Sequence, residues 1–190
     1  NVWVCGTGGA AVRNAQTGTW QRHRLTNNGN MDSFINDLTV GADGTVYASS
    51  NGAPGIGGMA KFDGTRWTNF NQEHHGLGID WPFPTDNSEA VLLRKNGNVV
   101  VNPMFNGVHE YSNGNWQTLN NSADVVGMVE DSLDRLWVLG EYFNLKVQNG
   151  NTWTDVGITA WGNRIQVDPS RAGTVWAATG HEVKRTDGAT

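Results

Sequence analysis

A polar turn ending in Gly or Asn, followed by a Trp that opens a polar strand, recurs along this chain. It reads Gln16-Thr17-Gly18-Thr19-Trp20, Asp63-Gly64-Thr65-Arg66-Trp67, Asn113-Gly114-Asn115-Trp116 and Asn149-Gly150-Asn151-Thr152-Trp153. Thr186-Asp187-Gly188-Ala189-Thr190 reads as a fifth copy cut short where its Trp would fall. Self-similarity at roughly 40–50 residues, with strands between the marks, is the signature of stacked four-stranded sheets around an axis. The expected fold class is therefore all-β: a β-propeller of four-stranded antiparallel blades.

Each unit reads as an apolar strand, a Gly- or Asp-containing turn, a second strand rich in aromatic and β-branched residues, a third strand after a glycine loop, and the Trp-led polar strand. The second unit places these at Ile35–Val40, Thr45–Ser49, Met59–Phe62 and Arg66–Phe70. Asp43-Gly44, Asn96-Gly97, Asn113-Gly114 and Asn149-Gly150 supply the positive φ of tight hairpins. The units fall at about 1–30, 31–78, 79–121, 122–158 and 159–190 of a single segment. The first enters at its second strand, Val2–Cys5, and the last stops before its fourth. That makes about four and a half blades, belonging to a larger propeller or to a five-bladed ring with shared or displaced strands. The start at Asn1, without an initiator Met, predicts a processed or excised segment. Open edges at both ends predict contact with other subunits or with the rest of the same chain.

Composition narrows the function classes. Charged residues make up 16% and the net charge is −5, with no basic stripe, so nucleic acid is disfavoured as a partner. No apolar run approaches the length of a membrane span, so no membrane insertion is expected. The single cysteine, Cys5, lies in an apolar run and reads as an inert thiol. Nine Trp provide ample core. Their regular positions favour packing between blades (Trp20, Trp67, Trp116, Trp153) and at the second strand (Trp3, Trp137, Trp176) over service as sugar platforms.

The largest departure from the repeat is the segment 71–89, with Glu73-His74-His75-Gly76 and Asp80-Trp81-Pro82-Phe83-Pro84-Thr85-Asp86. Loops on a rigid scaffold are where binding surfaces are usually built, and His74, His75, Asp80, Trp81, Phe83 and Asp86 form the candidate ligand-binding loop. The aromatic pair has two readings: stacking on a sugar or a partner side chain, or plugging a blade junction. Adjacent His side chains of an extended segment point apart, so no metal and no cofactor is expected. Asp43, Asp131 and Asp134 lack calcium-loop spacing and read as turn formers. No nucleophile elbow or phosphate loop is present. Asp80, Asp86, Glu89 and Glu141 lie near loops without forming an acid–base pattern, so no catalytic residue is assigned.

Two family resemblances follow from these units. Val129-Glu130-Asp131-Ser132-Leu133-Asp134-Arg135-Leu136-Trp137-Val138 resembles the repeats of two-component-regulator propellers, with Leu139-Gly140 where those repeats carry Gly-Thr; Val4-Cys5-Gly6-Thr7 comes close to that form. Residues 165–190, with Gly173-Thr174-Val175-Trp176 and Thr186-Asp187-Gly188-Ala189-Thr190, look like Asp-box (BNR-type) propellers, which include sialidases, sortilin-like receptors and some endoglucanases. The resemblances imply architecture and place no catalytic residue. The expectation is a non-catalytic binding or scaffold module, extracellular, periplasmic or at a cell surface, recognising a protein or glycan through its inter-blade loops. The alternatives are a periplasmic sensor segment of a two-component regulator and a polysaccharide-degrading enzyme of Asp-box type.

Overall fold

The computed structural model describes residues 1–23, 34–52, 56–72, 81–120, 125–141, 144–158 and 162–189. Its strands form five antiparallel sheets, each made from consecutive strands. Blade 1 holds β1 (Val2–Gly6), β2 (Gly9–Arg13) and β3 (Trp20–His23). Blade 2 holds β4 (Ile35–Val40), β5 (Val46–Ser50), β6 (Gly58–Phe62) and β7 (Trp67–Phe70). Blade 3 holds β8 (Ser88–Leu93), β9 (Val99–Pro103), β10 (Val108–Ser112) and β11 (Asn115–Asn120). Blade 4 holds β12 (Val125–Glu130), β13 (Leu136–Gly140), β14 (Lys146–Asn149) and β15 (Thr152–Asp155). Blade 5 holds β16 (Gly162–Val167), β17 (Val175–Thr179) and β18 (Val183–Thr186). Three sheets are four-stranded and two are three-stranded. Register identifies β1 as a second strand; among the described residues blade 1 shows no inner strand and blade 5 no outer one.

The inner strands β4, β8, β12 and β16 pack in succession around the ring. Each carries a bulge near its start, at Ile35/Asp37, Ser88/Ala90, Val125/Gly127 and Gly162/Arg164. An extra residue at the same place in four strands increases the local twist, as a strand near the axis requires. The second strands β5, β9 and β13 are buried along their whole length. They have a strand on either side and a blade on either face, which is why Val99-Val100-Val101 reads as a continuous apolar run.

The core is divided among the blade junctions. Trp3 and Cys5 of blade 1 meet Val46, Ala48, Ala60 and Trp67 of blade 2. Tyr47, Met59 and Phe70 meet Val91, Val99 and Val101 of blade 3. Ala90, Val100 and Val108 meet Val125, Met128, Leu136 and Val138 of blade 4. Trp137, Leu139, Leu145 and Val147 meet Ile165, Val175 and Ala177 of blade 5. Among the described residues no such cluster joins blade 5 to blade 1. Arg164 Nη1 of β16 nevertheless lies 4.0 Å from Asp37 Oδ1 of β4.

The outer-strand Trp of blades 2 and 4 is bonded to the blade before it, whereas Trp20 of blade 1, expected to pack between blades, is 56% exposed because no core cluster among the described residues lies on that side of it. Trp67 Nε1 donates to His23 Nδ1 at 3.3 Å, and Trp153 Nε1 donates to the Leu119 carbonyl at 2.9 Å. The second-strand Trp series is not uniform: Trp137 is fully buried under blade 5, whereas Trp176, with no blade packed on it, is 40% exposed beneath Arg185. The expectation that all three face a core holds for Trp3 and Trp137 and fails at the last blade.

Candidate functional site

An antiparallel four-stranded blade puts its first and third turns at one end and its second turn, with the crossover to the next blade, at the other. The segment 71–89 is such a crossover, from β7 to β8. Its described parts, 71–72 and 81–89, are tied down on both sides. The Gln72 amide donates to Asp86 Oδ1 at 2.8 Å and Gln72 Nε2 to the Phe83 carbonyl at 3.1 Å, which closes the base of the loop. Asn87 then links the loop to two neighbours. Its Oδ1 accepts from the Gly52 amide at 2.8 Å, and its carbonyl accepts from the Met104 amide at 2.8 Å. The second turns of blades 2 and 3 are thus joined to one crossover.

Trp81 and Phe83 are buried in the junction between blades 2 and 3. Trp81 Nε1 donates to the Thr85 carbonyl at 2.9 Å. Phe83 lies 4.5 Å from the His109 ring, 5.0 Å from Trp116 and 5.0 Å from Trp81, centroid to centroid. The two contacts with Trp are edge-to-face and add about 0.5–1.5 kcal/mol each beyond the area buried. Asp86 is buried as well. His74, His75 and Asp80 lie outside the described residues. The described half of the candidate set therefore forms the pedestal of the loop.

Gly57 and Gly58 belong to the same pedestal. A Cβ at Gly57 would overlap the Asp86 carbonyl oxygen, and Gly58, at φ +97°, would meet that of Phe70. Only glycine lets these two backbones approach so closely. His109 was not anticipated, since nothing in the repeat marks it. It is buried, with Nε2 2.6 Å from the Asn106 carbonyl and Nδ1 3.1 Å from Thr118 Oγ1. Burial lowers its pKa, against the opposing pull of the Asn106 carbonyl. The neutral ring fits both contacts, donating from Nε2 and accepting at Nδ1.

The opposite end of the ring carries ion pairs within and between blades. Arg94 Nε reaches Glu130 at 2.8 Å and Nη1 reaches Glu110 at 3.0 Å, while Lys95 Nζ reaches Asp134 at 2.8 Å. Burial disfavours the Arg94 charge, but Glu130 and Glu110 outweigh it and raise its pKa. Asp131 is the next node. Its Oδ1 accepts from the Leu133 and Arg135 amides, and its Oδ2 from Arg135 Nε at 2.8 Å and Trp137 Nε1 at 2.7 Å. Burial works against its charge, yet the Trp137 indole, the two amides and the guanidinium together hold its carboxyl below the usual range. Arg135 continues to the carbonyls of Asp187 and Gly173 in blade 5. Asp43 likewise accepts from the Thr45 amide and hydroxyl, as a turn former does. Asp134 takes the positive-φ place, at 61°, that glycine fills in the other hairpins.

No group of three or more His, Cys, Asp or Glu suited to a metal occurs among the described residues. The paired carboxylates Glu110 and Glu130 are both spent on Arg94.

No family model matches this sequence, and no curated protein is similar to it in sequence. Solved structures do match. One is the extracellular domain assigned to a hybrid two-component system of B. thetaiotaomicron, at 13% identity and a TM-score of 0.74 over 96% of this chain and 25% of that one. A second is virginiamycin B lyase from Staphylococcus aureus, at 14% identity and 0.67 over 95% and 63%. A third is PorZ, a surface component of the type-IX secretion system of Porphyromonas gingivalis, at 14% identity and 0.62 over 95% and 30%. The chain thus spans less than two thirds of each of these proteins, and at such identities the likeness is one of fold. This chain is a five-bladed β-propeller whose repeats resemble those of two-component-regulator propellers.

Proposed function

We propose that this propeller is a non-catalytic binding or scaffold module of an extracellular, periplasmic or surface protein, and that it takes a protein or glycan on the end carrying the segment 71–89. The observation that carries this reading is the pedestal. Gln72, Asp86 and Asn87 fix the described ends of the segment 71–89 to the turns of two blades. Binding loops gain affinity when their ends are already ordered, because less entropy is lost on contact. The extracellular domains and the secretion-system surface component among the structural neighbours support the location and the class.

A sensor segment of a two-component regulator is the second reading, favoured by the likeness to the B. thetaiotaomicron domain. It predicts the same binding end with signalling parts elsewhere in the protein. The likeness to virginiamycin B lyase keeps an enzymatic reading open to the same test. The test is a panel of glycans and extracellular proteins, presented to the chain and to a version with residues 73–80 replaced by Gly and Ser at equal length. Binding lost in the replaced version, with unchanged unfolding, supports the proposal. Binding retained at full strength, or turnover of a panel member, refutes it.

A further inference from the structure

Blades 2, 3 and 4 each turn a Trp-led outer strand toward the blade before, and the three junctions are filled differently. Each Trp pairs across its hairpin with a residue of the third strand: Trp67 with Phe62, Trp116 with Tyr111 and Trp153 with Gln148. The first two are aromatic pairs, 5.1 Å apart centroid to centroid. Their Trp rings meet further rings, Trp3 and His23 in one junction and Trp81 and Phe83 in the other. Trp153 packs instead on an aliphatic cluster and has no ring partner among the described residues. A hollow of about 460 Å³ lies beside it, between two blades that are both four-stranded.

The lining of this hollow is polar. Glu110 and Gln117, paired across β10 and β11, line it from blade 3, and Gln148, Asn151 and Trp153 line it from blade 4. Among the described residues the side chains of Gln117, Gln148 and Asn151 make no hydrogen bond. Arg94 Nη1 takes Oε1 of Glu110 and leaves Oε2 without a donor among those residues. The charges at the base are matched, since Arg94 lies between Glu110 and Glu130 and Lys95 holds Asp134. Trp153 is half-buried, and its Nε1 is already given to the Leu119 carbonyl, which fixes the ring.

We propose that the hollow between blades 3 and 4 is a binding site for a short neutral saccharide. A carboxamide offers both donors and an acceptor, and a carboxylate oxygen accepts, so this set suits hydroxyl groups that donate and accept in turn. The matched charges at the base leave no excess to draw an ion, and an apolar ligand would cover three carboxamides without pairing them. The indole supplies an apolar face for the C–H side of a sugar ring. The volume falls within the roughly 300–1,000 Å³ of small-molecule sites. A ring already fixed and a base already paired lose little freedom on binding. The hollow opens at the ion-paired end of the ring, so this site is separate from the segment 71–89.

The test titrates the whole chain with glucose, galactose, mannose, N-acetylglucosamine and their disaccharides, read by saturation-transfer NMR and calorimetry. The expected result is saturable binding of at least one of them, with hydrogen-exchange protection in peptides covering 115–120 and 146–153. Gln148→Phe puts into blade 4 the residue type that blade 2 carries at Phe62, and should weaken binding about 10-fold or more. Gln117→Ala, on the opposite wall, should weaken it as well, so the conclusion survives if one variant folds poorly. Thr152→Ala, beside Trp153 but outside the lining, should leave binding unchanged, as should replacement of residues 73–80 by Gly and Ser. No binding by any of these sugars at tens of millimolar, binding indifferent to both glutamine variants, or binding lost with residues 73–80 would overturn the proposal. So would uptake of neutral tripeptides in place of every sugar. Because Gln148→Phe closes the hollow, that variant is also the background on which binding by the segment 71–89 is read separately.

Discussion

Asp131 joins three things that the sequence separates: the first turn of blade 4, the buried Trp137 and the arginine that reaches blade 5. Asp131→Ala removes an acceptor used by four donors. Trp137 is fully buried, so its indole N–H has no water to turn to, which costs about 1–3 kcal/mol. The two turn amides lose their side-chain acceptor, comparable to losing a helix cap at about 1 kcal/mol. Arg135 keeps the carbonyls of Asp187 and Gly173 but loses its counter-charge. The sum, about 3–5 kcal/mol, matches the usual effect of removing one partner of a buried pair. In a domain of this size that lowers the melting temperature by roughly 6–20 °C. Asp131→Asn, which keeps one acceptor oxygen, should lose about half as much. Urea unfolding followed by tryptophan fluorescence reads both. The carboxyl is held below its usual 3.8, so its contribution is complete above that value and fades as pH falls through the lower, folded one. The gap between wild type and Asp131→Asn should therefore close in acid. A cost below about 1 kcal/mol for Asp131→Ala would refute the assignment of Asp131 as a node.

Other outcomes follow from the same contacts. His109 has a lowered pKa, so its neutral form favours the fold above pH 6.5, and stability falls as pH drops from there toward the folded value; a urea midpoint measured at several pH values should show this slope, and His109→Gln should reduce it. Trp153→Phe removes the donor to the Leu119 carbonyl and should cost about 1 kcal/mol in the same assay. Gly57→Ala drives a methyl into the Asp86 carbonyl and should cost about 1–3 kcal/mol, with raised hydrogen exchange at 81–88.

The architecture was legible because it is periodic. A hairpin needs Asn-Gly or Asp-Gly at fixed intervals, and a Trp that fastens one blade to the last must recur once per blade. Both leave a mark in one dimension. The place of β1 was legible for the same reason: Val2–Gly6 matches Leu136–Gly140, a second strand. Trp176 was misjudged because burial of that position depends on the following blade, which no local pattern encodes. The pedestal was only partly visible. Trp81 and Phe83 stood out as aromatic residues outside the repeat, but whether they face a ligand or a junction is decided by Trp116 and His109, far along the chain. Asn87 gave no signal at all, since its role is set by where Gly52 and Met104 come to lie. The Asp131–Trp137 bond had a faint one: Asp168 and Trp176 repeat it at 3.1 Å, and the two pairs could have been aligned.

The most direct test of the account is a hydrogen-exchange footprint of the chain with a ligand captured from the glycan and protein panel. The account predicts protection concentrated in peptides spanning 71–89, extending to the adjoining turns at 51–58 and 103–107, with the hairpins at 41–45, 94–98 and 131–135 unchanged. Protection confined to those hairpins, at the ion-paired end of the ring, would contradict it.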